Sequence, residues 1–166
     1  MPIGKHKPQI ILGIDPGLAD TGYGVIKVEN QRLTALAYGS IKTKPSCGLA
    51  ERLLALEREL QKIINQFKPR ETAVEELFFC NNVKTALSVG QARGVVLLTL
   101  RKNGLPITEF TPLQVKQAVS GYGQADKRQV QKMVQTILKL KELPRPDDAA
   151  DALAVAISAS NQLLPN

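Results

Sequence analysis

Apolar residues along this chain follow two different periods, and the changes between them mark out its elements. "QIILGID" (9–15) is an apolar run with three isoleucines, stopped by Pro16-Gly17, the pattern of a strand buried on both faces. "TGYGVIKVEN" and "RLTALAYGSIKT" follow with looser alternation, separated by the polar break Glu29-Asn30-Gln31, so the three segments read as an antiparallel meander. Between Gly48 and Phe67, Leu49, Leu53, Leu56, Leu60, Ile63 and Phe67 recur at spacings of four and three, with Glu and Arg on the other face. That period predicts an amphipathic helix, ended by Pro69.

The period then shortens again. "ETAVEE" (71–76) reads as a short buried strand, and "LFFCNN" breaks the pattern. A second helix spans 83–102 and carries Ala86, Gly90 and Gly94 at four-residue spacing. Such a row lets another backbone approach closely, and packing onto the sheet is its ordinary use, a subunit interface the alternative. "PITEF" (106–110) is a strand candidate, and Thr111-Pro112 opens a helix with Thr as N-cap and Pro in the first turn. "SGYGQAD" separates it from a basic helix at about 126–140, and "LPRPDDAADALAVAISAS" starts a last helix that is apolar on every side and therefore buried. The order βββαβαβ followed by helices predicts an α/β fold with a mixed five-stranded sheet flanked by helices, in one domain over 1–166 with its core at about 9–160.

Size and charge narrow the function. A chain of 166 residues can bury a real core but cannot hold two full-sized α/β lobes. No apolar run is long enough to span a membrane and "MPIGKHKPQ" lacks the apolar core of a signal peptide, so a cytoplasmic location is expected. Cys47 and Cys80 lack ligand-like neighbours and read as reduced thiols. The net charge is +7, and residues 101–145 hold nine bases against three acids, which accounts for nearly all of it. That segment is either a solvated helical surface or one that tracks phosphates.

The acids are the sharper signal. Asp15 ends the first strand, Glu75 and Glu76 end the fourth, and Asp147, Asp148 and Asp151 open the last helix. Each has an ordinary explanation: Asp before Pro-Gly favours a turn, and acids in a first helical turn complement the helix dipole. Together they suggest more. Carboxyl ends of central strands are where open α/β sheets place ligands. Asp148 and Asp151, three apart, share a helix face and repel by about 0.2–0.5 kcal/mol in water and by more when desolvated. Buried carboxylates must be paired, protonated or metal-bound, and Arg145 is their one evident sequence-local partner. An all-oxygen set without His or Cys suits Mg²⁺ or Mn²⁺ rather than zinc, and two such ions serve in-line phosphoryl displacement.

The motifs "ILGIDPG…TGYGVI", "AVEELFF", "GQARGV", "QVKQAVSGYGQADKRQVQ" and "DDAADALAVAI" resemble, in order and over roughly residues 9–160, the RuvC family of bacterial Holliday junction resolvases. The resemblance implies an RNase H-like fold and a homodimer. It implies a crossover junction endodeoxyribonuclease that makes paired symmetric nicks in four-way DNA junctions during recombination and repair. Two Mg²⁺ per site, replaceable by Mn²⁺, and the RuvA-RuvB branch-migration complex as partner are part of the same expectation. Position by position, Asp15, Glu75, Asp148 and Asp151 match the family's catalytic and metal-binding acids. Phe78 falls where an aromatic meets bases at the junction centre, and Lys116 and Lys127 match DNA-binding positions. Helix 83–102 corresponds to the dimer-interface helix. Asp147 and Glu76 are extra acids, expected outside the metal site, and the glycines of "TGYG" are expected to let DNA or metal approach.

Three rivals compete. An ATPase of the actin and sugar-kinase type needs two lobes and a second glycine-rich phosphate segment. A YqgF-type RNase H-like nuclease acting on ribosomal RNA precursors shares the first-strand acid but is not expected to show "GQARGV" with "VKQAV". A non-catalytic basic DNA-binding module leaves the acids without a purpose.

Overall fold

The computed structural model describes residues 7–77 and 82–163. Phe78 and Cys80 lie outside the described residues. Strands β1 (Gln9–Asp15), β2 (Asp20–Glu29) and β3 (Arg32–Lys42) form the antiparallel meander, and β4 (Glu71–Glu75) and β5 (Ile107–Phe110) extend it in parallel, in the order β3-β2-β1-β4-β5. The sheet is therefore mixed and five-stranded, as the periods predict. Helix α1 (Leu49–Phe67) ends at Lys68, whose φ of 49° turns the chain into Pro69, and α2 (Val83–Lys102) precedes β5. Helices α3 (Pro112–Ser120), α4 (Lys127–Ile137) and α5 (Asp147–Leu163) complete the chain. Both α3 and α4 open on capping boxes, Thr111 with Gln114 and Asp126 with Gln129. The basic helix is shorter than its predicted 126–140, because Lys139 takes a left-handed φ of 52°.

Strand alternation divides the molecule into two layers. Ile11, Ile26 and Ala73 face α5, with Val115 of α3 and Val134 of α4 behind it. Leu12, Ile14, Val25 and Val74 face the other way, onto Leu56 and Leu60 of α1 and Ala92 and Val96 of α2. Side chains such as Leu12, Ile14 and Leu60 are fully buried, each worth about 1.5–3 kcal/mol of transfer free energy. At the β2–β3 turn, Asn30 and Gln31 both adopt left-handed φ (50° and 62°), the hairpin geometry that matches strand twist. In β3 the register shifts: Val25 pairs with Ala37 and Ile26 with Ala35, leaving Leu36 as an extra residue. Leu33 and Ala35 accordingly pack on the α5 layer, whereas Ala37 and Ile41 pack on the α1 layer.

Two expectations change here. The small row of α2 is not what packs on the sheet: Ala92, Val96 and Leu100 do, while among the described residues Gly94 faces open space, Gly90 meets Leu77 and Ala86 lines a cavity at the strand ends. The glycines of "TGYG" are used by protein, not left to DNA or metal. Gly13 and Gly24 are cross-strand partners, as are Asp15 and Gly22, so all four lie on the α5 face. A Cβ on Gly22 would collide with the Asp148 carbonyl oxygen, and one on Gly24 would come within 2.8 Å of the Leu153 nitrogen. One on Gly13 would lie 2.6 Å from the Ala156 nitrogen. The missing side chains form a trench that seats the α5 backbone directly on β1 and β2.

Candidate metal centre

The trench decides where the acids go. Docking α5 against Gly22 brings its first turn beside the end of β1, where Asp15 shares the face of Gly13. Asp15, Asp148 and Asp151 each offer a carboxylate oxygen, and these oxygens lie within 4.8 Å of one another. In β4, Ala73 faces α5 and Glu75, two residues on, shares its side; Glu75 also ends the strand. Glu76 leaves the sheet, donating its backbone N–H to the Phe110 carbonyl at 2.8 Å. Strand parity thus separates the two adjacent acids, and Glu75 turns toward Asp15. Glu75 and Asp15 share a hydrogen bond, but Glu75 stands outside the three-oxygen cluster itself.

Electrostatics at this corner are unfavourable for a protein alone. Burial first, then the charge of Glu75 and the hydrogen bond to it, then Asp151 and Asp148, push the Asp15 carboxyl up to about 9. Asp15 and Glu75, both pushed toward the neutral form, therefore favour sharing a proton between them. Burial also raises Glu75, and it raises Asp151 against the opposing pull of the Lys127 ammonium. Asp148 is raised by burial and by Asp20 on its outer side. Asp20 is held below the usual range by Lys42, whose Nζ donates to it at 2.6 Å, and accepts a second hydrogen bond from Ser40 Oγ. Four clustered carboxyls, all shifted toward the neutral form, are an oxygen-only donor set whose repulsion a hard divalent cation would reverse. The residues present fit Mg²⁺ or Mn²⁺.

The cations nearby are not the one expected from sequence adjacency. Arg145 is exposed and forms no ion pair among the described residues. Lys127, the first residue of α4, places its Nζ 3.3 Å from Asp151 and 3.4 Å from Asp147. Asp147 points outward, its side chain 62% exposed, and accepts from Gln131 Nε2 at 3.1 Å. Lys116 of α3 is close enough for its charge to act on Glu75. Two residues are not among the expected site components: Arg93 of α2, the arginine of "GQARGV", which lines a cavity of about 240 Å³ with Asp15 and Glu75, and its partner Glu109. Apolar spacing could not reveal them, because their meeting depends on how α2 sits over β4 and β5.

This placement makes Asp147 and Asp148 distinguishable. Asp147→Asn should leave the rate of any metal-dependent reaction within about threefold of wild type, consistent with a solvent-exposed ion pair worth under about 1 kcal/mol. Asp148→Asn should lower it by about 100-fold or more. Parallel rate measurements on the two variants check this, and equal losses would place Asp147 in the metal site.

Among the described residues no helix is long and apolar enough to cross a membrane. The chain matches, over residues 11–159, the family described as crossover junction endodeoxyribonuclease RuvC. The protein of that name from Ruminiclostridium cellulolyticum is 56% identical over 152 residues, 92% of each chain. The one from Heliobacterium modesticaldum is 55% identical over 154 residues, 93% of this chain and 95% of that one. Among solved structures, T. thermophilus RuvC in complex with Holliday junction substrate superposes with a TM-score of 0.88 at 37% identity, over 93% of this chain and 94% of that one.

Proposed function

The chain belongs to the RuvC family, and from that premise we propose that it resolves Holliday junctions by metal-dependent hydrolysis, nicking two opposed strands of a four-way DNA junction. The observation that carries this reading is the convergence of Asp15, Asp148 and Asp151 at one corner of the sheet, directly beside the basic helix α4. A DNA-binding module without chemistry has no use for buried carboxyls that repel one another. A nuclease needs both halves: acids for the ions and bases for the backbone being cut.

Asp15, Asp148 and Asp151 would hold the metal, with Glu75 joining them once the proton it shares with Asp15 is gone. Two Mg²⁺, or Mn²⁺ in their place, would stabilise the attacking and the leaving oxygen of the phosphodiester. Lys127 stands at the rim with half of its side chain exposed, positioned to grip a backbone phosphate, and Lys116 adds charge from the α3 side. Phe78 is assigned to the junction bases on resemblance alone. Two opposed cuts call for two copies of the chain. The outer row of α2, with Val83 81%, Leu87 63% and Leu98 62% exposed beside the open Gly94, is the surface suited to pairing them. RuvA-RuvB remains the partner that the family resemblance implies.

The test compares substrates. With Mg²⁺ the protein should convert a synthetic four-way junction into nicked duplexes while leaving linear duplex and precursor ribosomal RNA intact. Junction affinity should also fall steeply with salt, by tenfold or more between about 50 and 200 mM, because phosphate contacts release counterions. Cleavage of precursor RNA in preference to the junction would overturn the assignment.

A further inference from the structure

The carboxyl of Glu75 belongs to the α5 layer, but its backbone is held from the opposite side of the sheet. Arg93 of α2 donates from Nε to the Glu75 carbonyl oxygen at 3.4 Å. Its Nη2 lies 2.8 Å from Glu109 Oε2, and the Arg93 side chain is only 19% exposed. Glu109 pairs with Val74 across β4 and β5 and shares the parity of Ile107, so it faces the α1–α2 layer and meets Arg93 there. Glu75 itself occupies the last paired position of β4, opposite Phe110, and among the described residues the backbone of the next residue is held through its N–H to the Phe110 carbonyl. A strand end with a single ladder partner is where a backbone is free to fray. The planar guanidinium, anchored on Glu109, closes that end with a second direction of restraint.

We infer that Arg93, oriented by Glu109, is a positioning residue that fixes the end of β4 from the α2 side and so aims the Glu75 carboxyl at Asp15. It acts through the Glu75 backbone and touches neither substrate nor metal in this role. The inference rests on the reading of Glu75 as a site residue. Lysine at position 93 would keep the ion pair to Glu109 but lacks the fork that serves both partners at once. The pair Arg93→Ala and Arg93→Lys therefore separates positioning from simple stability.

The experiment follows four properties of the full-length protein: calorimetric binding of Mn²⁺ without DNA, four-way junction affinity without metal, cleavage against Mg²⁺ concentration, and Tm. Arg93→Ala should weaken Mn²⁺ binding and raise the half-saturating Mg²⁺ concentration by about tenfold, with junction affinity unchanged. Arg93→Lys should regain most of the Tm but not the metal affinity, and Glu109→Gln should shift metal affinity in the same direction by less. Wild-type Mn²⁺ binding in Arg93→Ala, or full recovery of metal affinity in Arg93→Lys, overturns the inference. If Arg93→Ala does not fold, the lysine and Glu109→Gln variants decide alone, and wild-type metal affinity in both sinks it. Glu75→Gln separates the two layers of the argument. If it binds Mn²⁺ and cuts as wild type, the reading of Glu75 and this inference fall together; if it is inactive while the Arg93 variants are normal, only this inference falls.

Discussion

Asp15→Asn should abolish junction cleavage, by about 1,000-fold or more, while making the metal-free protein more stable at alkaline pH. The two effects have one origin. Loss of a carboxylate proposed to hold the metal should remove several kcal/mol of transition-state stabilisation, and 4 kcal/mol is roughly 1,000-fold in rate. The same carboxyl is held near 9 by burial and by its acidic neighbours. In the unfolded chain it ionises near 4, so between about pH 4 and 9 the folded state binds the extra proton. Its contribution to stability is therefore fully present below pH 4 and is lost as pH rises toward 9. Asparagine does not titrate and escapes that loss. A melting series without metal should show a gain of at least about 1 kcal/mol at pH 8, roughly 2–4 °C in Tm per kcal/mol, shrinking toward zero near pH 4. Junction binding should survive, since the basic face is untouched. A variant that cuts normally, or whose Tm advantage grows toward acid pH, would contradict the electrostatic account of the site.

Gly22→Ala should be nearly as damaging without removing any acid. A methyl at this position meets the Asp148 carbonyl and lies 3.0 Å from its Cβ, so the first turn of α5 has to move. Backbone cannot rotate away as a flexible side chain can. Overpacking of this kind costs about 1–3 kcal/mol. Displacing Asp148 and Asp151 by roughly 1 Å from Asp15 should cost about 100-fold in cleavage. Gly94→Ala is the control, because a Cβ at Gly94 meets nothing within 4 Å among the described residues. Measured together, Gly22→Ala should lose Tm, metal affinity and rate, whereas Gly94→Ala should keep the metal affinity. Normal cleavage by Gly22→Ala would mean that the trench does not set the spacing of the acids.

Much of this architecture is legible in the chain because it rests on local periods. The apolar run ending at Asp15, the four-and-three spacing of α1 and the Thr111-Pro112 cap each announce an element with short-range chemistry. The acids are legible one at a time for the same reason, and their grouping follows from the motifs of a known family. What stays hidden depends on contacts between layers. Nothing in "TGYG" says that α5, rather than a ligand, fills the space above it. Arg145 is adjacent to the acids in sequence yet points to solvent, while Lys127 reaches Asp151 from another helix. Glu109 looks like an ordinary surface charge, and "GQARGV" does not say what Arg93 meets, until α2 is laid across the strand ends.

The bulge in β3 shows by contrast what the central strands cannot accept. Leu36 is an odd residue absorbed into an edge strand, where the reversal of facing falls on residues that carry no chemistry. β1 pairs without interruption from Gln9 to Asp15. Deleting one residue there would rotate Asp15 onto the layer of Leu56 and Leu60 and put Ile14 in the place of Gly13, against the α5 backbone. Deleting two residues would restore the facing but draw Asp15 back by two positions, roughly 6.6 Å along the strand, so the acid corner depends on the length of β1 as well as on its parity.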